Sequence, residues 1–240
     1  MNAALPGKTA ELEGVLERIA RTHGPSALAS SLSAEDMVLT DAILRHRHQI
    51  EIFTLDTGRL HADTLNVLEA IRGQYGYQVD VYRPDAAAVA QYVAGFGRDA
   101  FYENASLRKR CCEIRKVEPL RRALQGRKSW ITGQRRAQAV TREALPIEQH
   151  DATHGLLKFN PLTDWSEDEV WDYLRIFGVP YNRLYDQGYR SISCAPCTRP
   201  TVAGEDVRAG RWWWESPESR ECGLHVSPDG RLVRTKETVS

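Results

Sequence analysis

The chain has 240 residues, which is enough for one large domain or two small ones with a buried core. Its 32 Lys and Arg residues balance 32 Asp and Glu residues, and this zero net charge argues against a general binder of nucleic acid or of membrane surfaces. No basic segment followed by an apolar run begins the chain, and no apolar stretch approaches the roughly 18 residues of a transmembrane helix. We therefore expect a cytoplasmic protein, in which five cysteines indicate a metal site or catalysis rather than a disulfide framework.

Short apolar runs alternate with segments of helical period through the first two-thirds of the chain. In chain order, the sequence predicts a strand that runs into a loop at 26–33, a helix at 35–47, and a strand at 50–58 that ends on a polar turn. A helix at 60–76, a strand at 77–84 and a strand followed by a polar loop at 128–136 come next. This alternation is typical of an α/β fold, in which helices cover a parallel sheet and ligands bind at the carboxyl ends of the strands. We therefore expect the polar loops at 31–36, 56–58 and 133–136 to lie along one edge of the sheet.

The character of the sequence changes after the last of these strands. Residues 162–178 predict a helix that begins with a capping box of Ser166 and Glu169 and is closed by a glycine. Turn-rich segments and a polar end follow. We assign residues 1–205 to an α/β domain and residues 206–240 to a C-terminal tail.

Four of the five cysteines form two close pairs, Cys111 with Cys112 and Cys194 with Cys197. Four cysteinates are the usual ligands of a structural zinc ion or of an iron–sulfur cluster. Adjacent helical residues point about 100° apart, which suits a cubane cluster better than zinc, whose sulfur ligands lie only ~3.8 Å from one another. The pattern favours a cluster. The alternatives are zinc, or a redox or structural Cys-x-x-Cys beside two ordinary thiols.

The fifth cysteine, Cys222, is close in sequence to Arg220 and His225, which could lower the pKa of its thiol and make it reactive. A lone cysteine of this kind is more often a spectator. Basic residues also crowd around the first cysteine pair, because residues 106–128 contain nine Lys or Arg and only two acids. Such a run is either a solvated helix face or, with the arginines of 133–136, part of an anion pocket, since Arg binds phosphate and sulfate oxygens in a bidentate manner.

Seven motifs follow one another along the chain: SLSAEDMV, FTLDTGRLHADT, KRCCEIRKVEPL, TGQRRAQAVTR, KFNPLTDWSEDEVWDYL, CAPCTRP and ECGLH. In these motifs and their order, the sequence resembles the assimilatory adenylylsulfate (APS) reductases, which are thioredoxin-dependent sulfonucleotide reductases. The resemblance extends from about residue 26 to residue 225. It implies a fold related to the adenine nucleotide α-hydrolases of the ATP pyrophosphatase type, with a C-terminal iron–sulfur segment and a mobile tail.

The resemblance also implies a set of site residues. Those for the substrate are Ser31, Ser33, Leu55, Thr57, Gly58, Lys116, Gln134, Arg135, Arg136, Arg208, Arg211 and His225. Those for one [4Fe–4S] cluster per chain are Cys111, Cys112, Cys194 and Cys197, and the implied nucleophile is Cys222. The resemblance makes residues 31–36 a phosphate-binding loop. This phosphate loop lacks both glycines of the S-G-G-x-D-S sequence of ATP-cleaving relatives, which fits a site that holds a sulfonucleotide without cleaving ATP.

The implied reaction reduces APS to sulfite and AMP through an S-sulfocysteine, with reduced thioredoxin or glutaredoxin as electron donor, in assimilatory sulfate reduction and cysteine biosynthesis. One alternative is a PAPS reductase, although such relatives usually lack the four cluster cysteines. Another is an enzyme of the ATP pyrophosphatase type, which the altered phosphate loop and the ECGLH motif oppose. The third, a non-enzymatic iron–sulfur regulator, gives Cys222 no role. The sequence leaves open whether the chain forms a homo-oligomer.

Overall fold

The computed structural model describes residues 4–138, 142, 144–202 and 204–215. Its helices are α1 (Leu5–Thr22), α2 (Ala34–Arg45), α3 (Ala62–Tyr75), α4 (Ala86–Phe96), α5 (Ala105–Cys112), α6 (Glu118–Leu124) and α7 (Glu167–Phe177). Its strands are β1 (Ser26–Ser30), β2 (Glu51–Leu55), β3 (Asp80–Tyr82), β4 (Ser129–Ile131), β5 (Glu148–Asp151) and β6 (Leu156–Phe159). Within this described part, no helix combines the length and the apolar character that a membrane span requires.

The strands form one sheet in the order β3-β2-β1-β4-β6-β5. All neighbouring pairs are parallel except β5 and β6, which form an antiparallel pair at one edge. The predicted α/β class is therefore confirmed. The chain runs outward from β1 through β2 to β3 on one side and places β4 on the other side of β1. Ligands in open α/β sheets bind where the order reverses in this way, so the topology points to the carboxyl ends of β1 and β4.

Two apolar clusters cover the two faces of the sheet. Leu28 and Ile52 are paired on β1 and β2 and belong to the larger cluster, which α1, α2, α3 and α7 also enter. Ala27 and Trp130 are paired on β1 and β4 and belong to the smaller cluster, which is closed by α6. Successive residues of a strand point to opposite faces, and this alternation explains why adjacent residues of β1 enter different clusters.

The strands end before the polar loops that the sequence predicts. The strand within 26–33 ends at Ser30, before the loop at 31–36, and the strand within 128–136 ends at Ile131, before the loop at 133–136. The polar residues that follow leave the hydrogen-bonded ladder because they form loops above the sheet. The capping prediction for α7 is confirmed, because the Ser166 side chain accepts a bond from Glu169 N and the Glu169 side chain accepts one from Ser166 N.

The helical segment that carries the cysteine pair does not break between α5 and α6. Residues 113–117 form a π-helical turn that joins them. A π turn widens an α-helix by one residue and is frequent at functional sites. Here Cys111 and Cys112 end α5, and the π turn carries Arg115 and Lys116, both of which are buried.

The stretch from residue 206 to residue 215 packs against the body of the protein. Trp212 is fully buried in an apolar cluster with Cys194 and Cys197. Glu215 accepts bonds of 2.6 and 2.9 Å from the buried guanidinium of Arg108 on α5. The first ten residues of the segment that we assigned to the tail therefore hold the Cys-x-x-Cys against α5.

Candidate active site

A cavity of about 240 Å³ opens at the carboxyl ends of the central strands. Nine of the twelve substrate-binding residues that the resemblance implies line it: Ser31, Ser33, Leu55, Thr57, Lys116, Gln134, Arg135, Arg208 and Arg211. They come from the loops after β1, β2 and β4, from the π turn and from the segment before Trp212. The sheet topology thus brings together residues that lie far apart in the sequence.

The other three implied residues do not line this cavity within the described part of the chain. Arg136 points outward, donates to the carbonyl of Leu145 at 2.9 Å and pairs with Asp164. Gly58 forms a turn with a φ of 68°. His225 lies outside the described residues, as does the implied nucleophile Cys222.

Asp36, at the start of α2, ties two of the loops together. Its Oδ2 accepts bonds from the amide and the hydroxyl of Ser31 at 2.7 and 2.5 Å, and its Oδ1 accepts one from the amide of Gly133 at 3.0 Å. Burial raises the pKa of Asp36 to about 6, while the bonds from Ser31 and Gly133 act in the opposite direction. The sequence motifs did not assign Asp36 a role. Its position in the first turn of the helix after a buried strand could have indicated one.

Gly133 approaches this carboxylate so closely that no side chain fits. A Cβ atom there would lie 2.5 Å from Asp36 Oδ1 and 2.9 Å from Glu35 Cβ. Glu35 is itself held in place, because it accepts bonds of 2.7 and 3.0 Å from the guanidinium of Arg135. The loop after β4 can therefore reach the loop after β1 only with glycine at position 133.

Backbone N–H groups of the phosphate loop already have partners inside the protein. Ser31 N donates to Asp36, Leu32 N donates to Ser30 Oγ at 3.2 Å, and Ala34 N donates to Tyr185 Oη at 3.1 Å. Leu32 is fully buried and has a φ of 61°, in the left-handed region that favours glycine. These three amides are therefore not available to a ligand.

The side chains of the cavity suit an anion. Its described lining includes six cations, Lys116, Arg135, Arg142, Arg190, Arg208 and Arg211, and three acids, Glu35, Asp36 and Glu167. Two of the cations are aimed by short contacts. Lys116 Nζ donates to Ser193 Oγ at 2.7 Å, and Arg211 donates to the carbonyl of Ile192 at 3.2 Å. Arginine and lysine near acceptor-only oxygens are the groups that bind phosphate and sulfate.

A second, smaller cavity lies beside the first and brings together all four paired cysteines. Its lining consists of Cys111, Cys112, Cys194 and Cys197 with Arg59, Phe101, Arg108, Arg115, Lys116 and Pro196. Lys116 lines both cavities. The structure therefore places one ammonium group between an anion-binding cavity and a cluster of thiols.

The surroundings of the four thiols fit an anionic group that carries sulfur. Thr57 Oγ1 lies 3.2 Å from Cys194 Sγ. The indole nitrogen of Trp212 is buried in the same cluster and has no hydrogen-bond partner within the described residues. Burial raises the pKa of Cys197 to about 12, while Lys116 and Arg211 oppose that rise. Among the residues described, no group of three or more His, Cys, Asp or Glu side chains is arranged to hold a metal ion.

Known proteins resemble this chain over most of its length. The phosphoadenosine phosphosulfate reductase domain matches residues 25–200. Adenosine 5'-phosphosulfate reductase of Allochromatium vinosum is 52% identical over 221 residues, which are 92% of this chain and 86% of that protein. The protein of the same name from Neisseria meningitidis serogroup A is 53% identical over 223 residues, which are 92% of this chain and 91% of that protein.

A solved structure supports the same fold. The crystal structure of phosphoadenylyl-sulfate (PAPS) reductase from Candida auris, a phosphate complex, has a TM-score of 0.69 and 23% identity with this chain. The match covers 83% of this chain and 98% of that one. The chain has a mostly parallel sheet with a cavity at the point where the strand order reverses, and the domain match at residues 25–200 covers more than half of its length. The chain therefore belongs to the phosphoadenosine phosphosulfate reductase domain family.

Proposed function

We propose that this protein is an adenosine 5'-phosphosulfate reductase that converts APS to AMP and sulfite with electrons from reduced thioredoxin. The observation that carries the proposal is the position of Lys116 between the anion-binding cavity and the four thiols. The identity of just over half with two APS reductases across nearly the whole chain supports the same substrate. We assign the reaction to sulfate assimilation and cysteine biosynthesis in the cytoplasm.

The substrate places two kinds of group in the cavity. Its phosphosulfate oxygens only accept hydrogen bonds, and we assign them to Lys116, Arg208 and Arg211. Its adenosine is assigned to the side of the cavity lined by Leu55 and Thr57. This division puts the sulfur of APS next to the thiol cavity and leaves it open to a nucleophile from the C-terminal segment.

In the first step, the thiolate of Cys222 attacks the sulfur atom of APS. A bond forms between Cys222 Sγ and that sulfur, and the bond from sulfur to the phosphate oxygen breaks. The electron pair of the broken bond leaves with AMP, whose phosphate is stabilised by the cations of the cavity. The protein then carries an S-sulfocysteine at position 222.

In the second step, a thiolate of reduced thioredoxin attacks Cys222 Sγ, and sulfite leaves with the electron pair of the sulfur–sulfur bond. The second thiol of thioredoxin attacks the mixed disulfide, which releases Cys222 as a thiolate and oxidises thioredoxin to its disulfide. The two electrons that reduce the sulfonate to sulfite thus come from the dithiol. The segment with Cys222 must face APS in the first step and thioredoxin in the second.

We further propose that Cys111, Cys112, Cys194 and Cys197 hold one [4Fe–4S] cluster. The four thiols line one cavity with cations on its walls, and this donor set is the usual one for such a cluster. When bound, the cluster would supply fixed negative charge that orients Lys116 and the neighbouring arginines, rather than a path for electrons.

The [4Fe–4S] proposal predicts about four irons and four sulfides per chain in protein purified without oxygen. Stoichiometric zinc without iron, after anaerobic reconstitution, would contradict it.

The activity is tested by measuring sulfite release from APS by anaerobically purified protein, with and without reduced thioredoxin. We expect catalytic turnover only with thioredoxin. The Cys222→Ser variant should still bind APS but release no sulfite, because a serine hydroxyl without an adjacent base is a poor nucleophile near neutral pH. PAPS is the matched substrate control, and a value of kcat/KM for PAPS equal to or above that for APS would contradict the assigned substrate.

A further inference from the structure

Lys158, on β6, is a buried cation next to the anion-binding cavity. Its side chain is only 5% exposed, and Trp130 on β4 is its partner in the strand register. The ammonium lies 4.9 Å from the centre of the Trp130 ring, and Trp130 is held by a bond of 3.1 Å from its indole nitrogen to Asp151. Burying a charge is costly, so a lysine in this position calls for an explanation.

The ammonium of Lys158 donates a hydrogen bond of 2.9 Å to Oε1 of Gln134. Gln134 follows β4 and lines the cavity, whereas Lys158 does not. A carboxamide can present either its oxygen or its N–H groups in a given direction, but an ammonium group only donates. The oxygen of Gln134 must therefore face Lys158. The hydrogen bonds within the described residues use only this oxygen of the carboxamide and leave its N–H groups for a ligand.

We propose that Lys158 is a positioning residue that fixes the carboxamide of Gln134 with its N–H groups toward the cavity, where they donate to an anionic oxygen of the sulfonucleotide. The inference rests on the proposed function, because it assumes an anionic ligand in this cavity. Without Lys158 the carboxamide can rotate, and its oxygen would then face the acceptor-only oxygens of the ligand. The loss would therefore appear in ligand affinity, and it would require Gln134.

The nearest acid does not supply an alternative role for Lys158. Asp151 already accepts a bond from Trp130 and lies 2.7 Å from Nδ1 of His154. Burial lowers the pKa of Lys158 to about 8, and the charge of Asp151 opposes that decrease without removing it. The contact between Lys158 and Gln134 links this buried charge to a residue that lines the cavity.

A double-mutant cycle tests the proposal. Lys158→Met and Gln134→Met, each close in shape to the residue it replaces, are introduced singly and together into the Cys222→Ser protein. The dissociation constant of APS is measured by calorimetry, with thermal unfolding as a control for the fold. We expect each single substitution to raise Kd about 10-fold, which corresponds to about 1.4 kcal/mol, and the double variant to be no weaker than Gln134→Met alone.

Lys158→Arg is the conservative variant, and we expect it to keep the affinity of the parent protein for APS because a guanidinium group also only donates. If Lys158→Met lowers the affinity for APS equally in the Gln134 background and in the Gln134→Met background, the charge acts directly and the proposal is overturned. An unchanged Kd in Lys158→Met would overturn it as well. If Lys158→Met does not fold, Lys158→Gln takes its place in the same cycle, since a carboxamide both donates and accepts and no longer fixes the oxygen of Gln134 toward position 158. A parent protein that binds AMP but not APS would contradict the proposed substrate, and the cycle would then be measured with AMP.

Discussion

The loop after β1 and the loop after β4 meet at the side chain of Asp36. The carboxylate of Asp36 accepts bonds from both loops, and Gly133 leaves room for that carboxylate. The residue types gave no direct sign of this contact, because it joins positions 97 residues apart. The cysteine pairs were easier to interpret, since four thiols in two close pairs are a common ligand set of metal sites. The residue types alone did not show that Lys116 lies between the thiols and the cavity, and this expectation came from the family resemblance.

We expect Gly133→Ala to weaken both the fold and the site. The new methyl group would overlap the buried carboxylate of Asp36, and overpacking of this kind costs about 1–3 kcal/mol. Urea unfolding and the Kd for APS measure the two effects. Gly73→Ala on α3 is the matched control, because its Cβ would meet no atom within 4 Å and alanine favours a helix. A Gly133→Ala protein with the stability and affinity of the wild type would contradict the account of the loop contact.

We expect Lys116→Ala to leave the fold intact and to slow formation of the S-sulfocysteine. Loss of one charge-assisted contact to the reacting group raises the barrier by about 2–3 kcal/mol, which is a roughly 30- to 160-fold decrease in the single-turnover rate. Lys109→Ala is the control, because Lys109 is exposed on the same helical segment and lines neither cavity. Equal single-turnover rates for wild type and Lys116→Ala would exclude this role for the ammonium group.

At the scale of elements, the alternation of strands and helices was predictable because the spacing of apolar residues differs between strands and helices. The ends of β1, β2 and β4 were predictable as well, because polar loops follow each of these strands. The π turn at 113–117 could not be predicted from its residues. It depends on packing, because Arg115 donates to the carbonyl of Thr57 at 2.7 Å and Lys116 reaches Ser193. Through these contacts one helical segment faces both cavities.

Deletion of Glu113 tests the role of the π turn. Without this residue the turn can become α-helical, since a π turn is an α-helix with one residue inserted. The helices α5 and α6 would stay in line, but Arg115 and Lys116 between them would change direction relative to the two cavities. We expect a folded protein with weaker APS binding and lower iron content. Glu113→Ala is the control for the lost side chain, which forms only a surface pair with Arg121 at 3.3 Å. A deletion variant that binds APS as tightly as Glu113→Ala and holds as much iron would show that the π turn is not needed.

At the scale of the whole molecule, the topology explains why motifs from so many parts of the sequence form one site. The reversal of strand order beside β1 gathers the loops after β1 and β4, and α5 with the π turn brings the cysteine pair to the same edge. The motifs predicted the family, and nine of the twelve substrate-binding residues that they imply line the cavity. They did not predict the support that Lys158 gives to Gln134, because it passes through the strand register of β4 and β6.

In the proposed reaction, Cys222 takes the sulfonate group from APS before any electron donor acts. Mass spectrometry of the intact protein and its peptides, after addition of APS without thioredoxin, measures this step directly. We expect one SO₃ group per chain, on the peptide that contains Cys222, and its loss as sulfite when reduced thioredoxin is added. The same adduct on Cys194 or Cys197, or near-normal turnover without any adduct on Cys222, would contradict it.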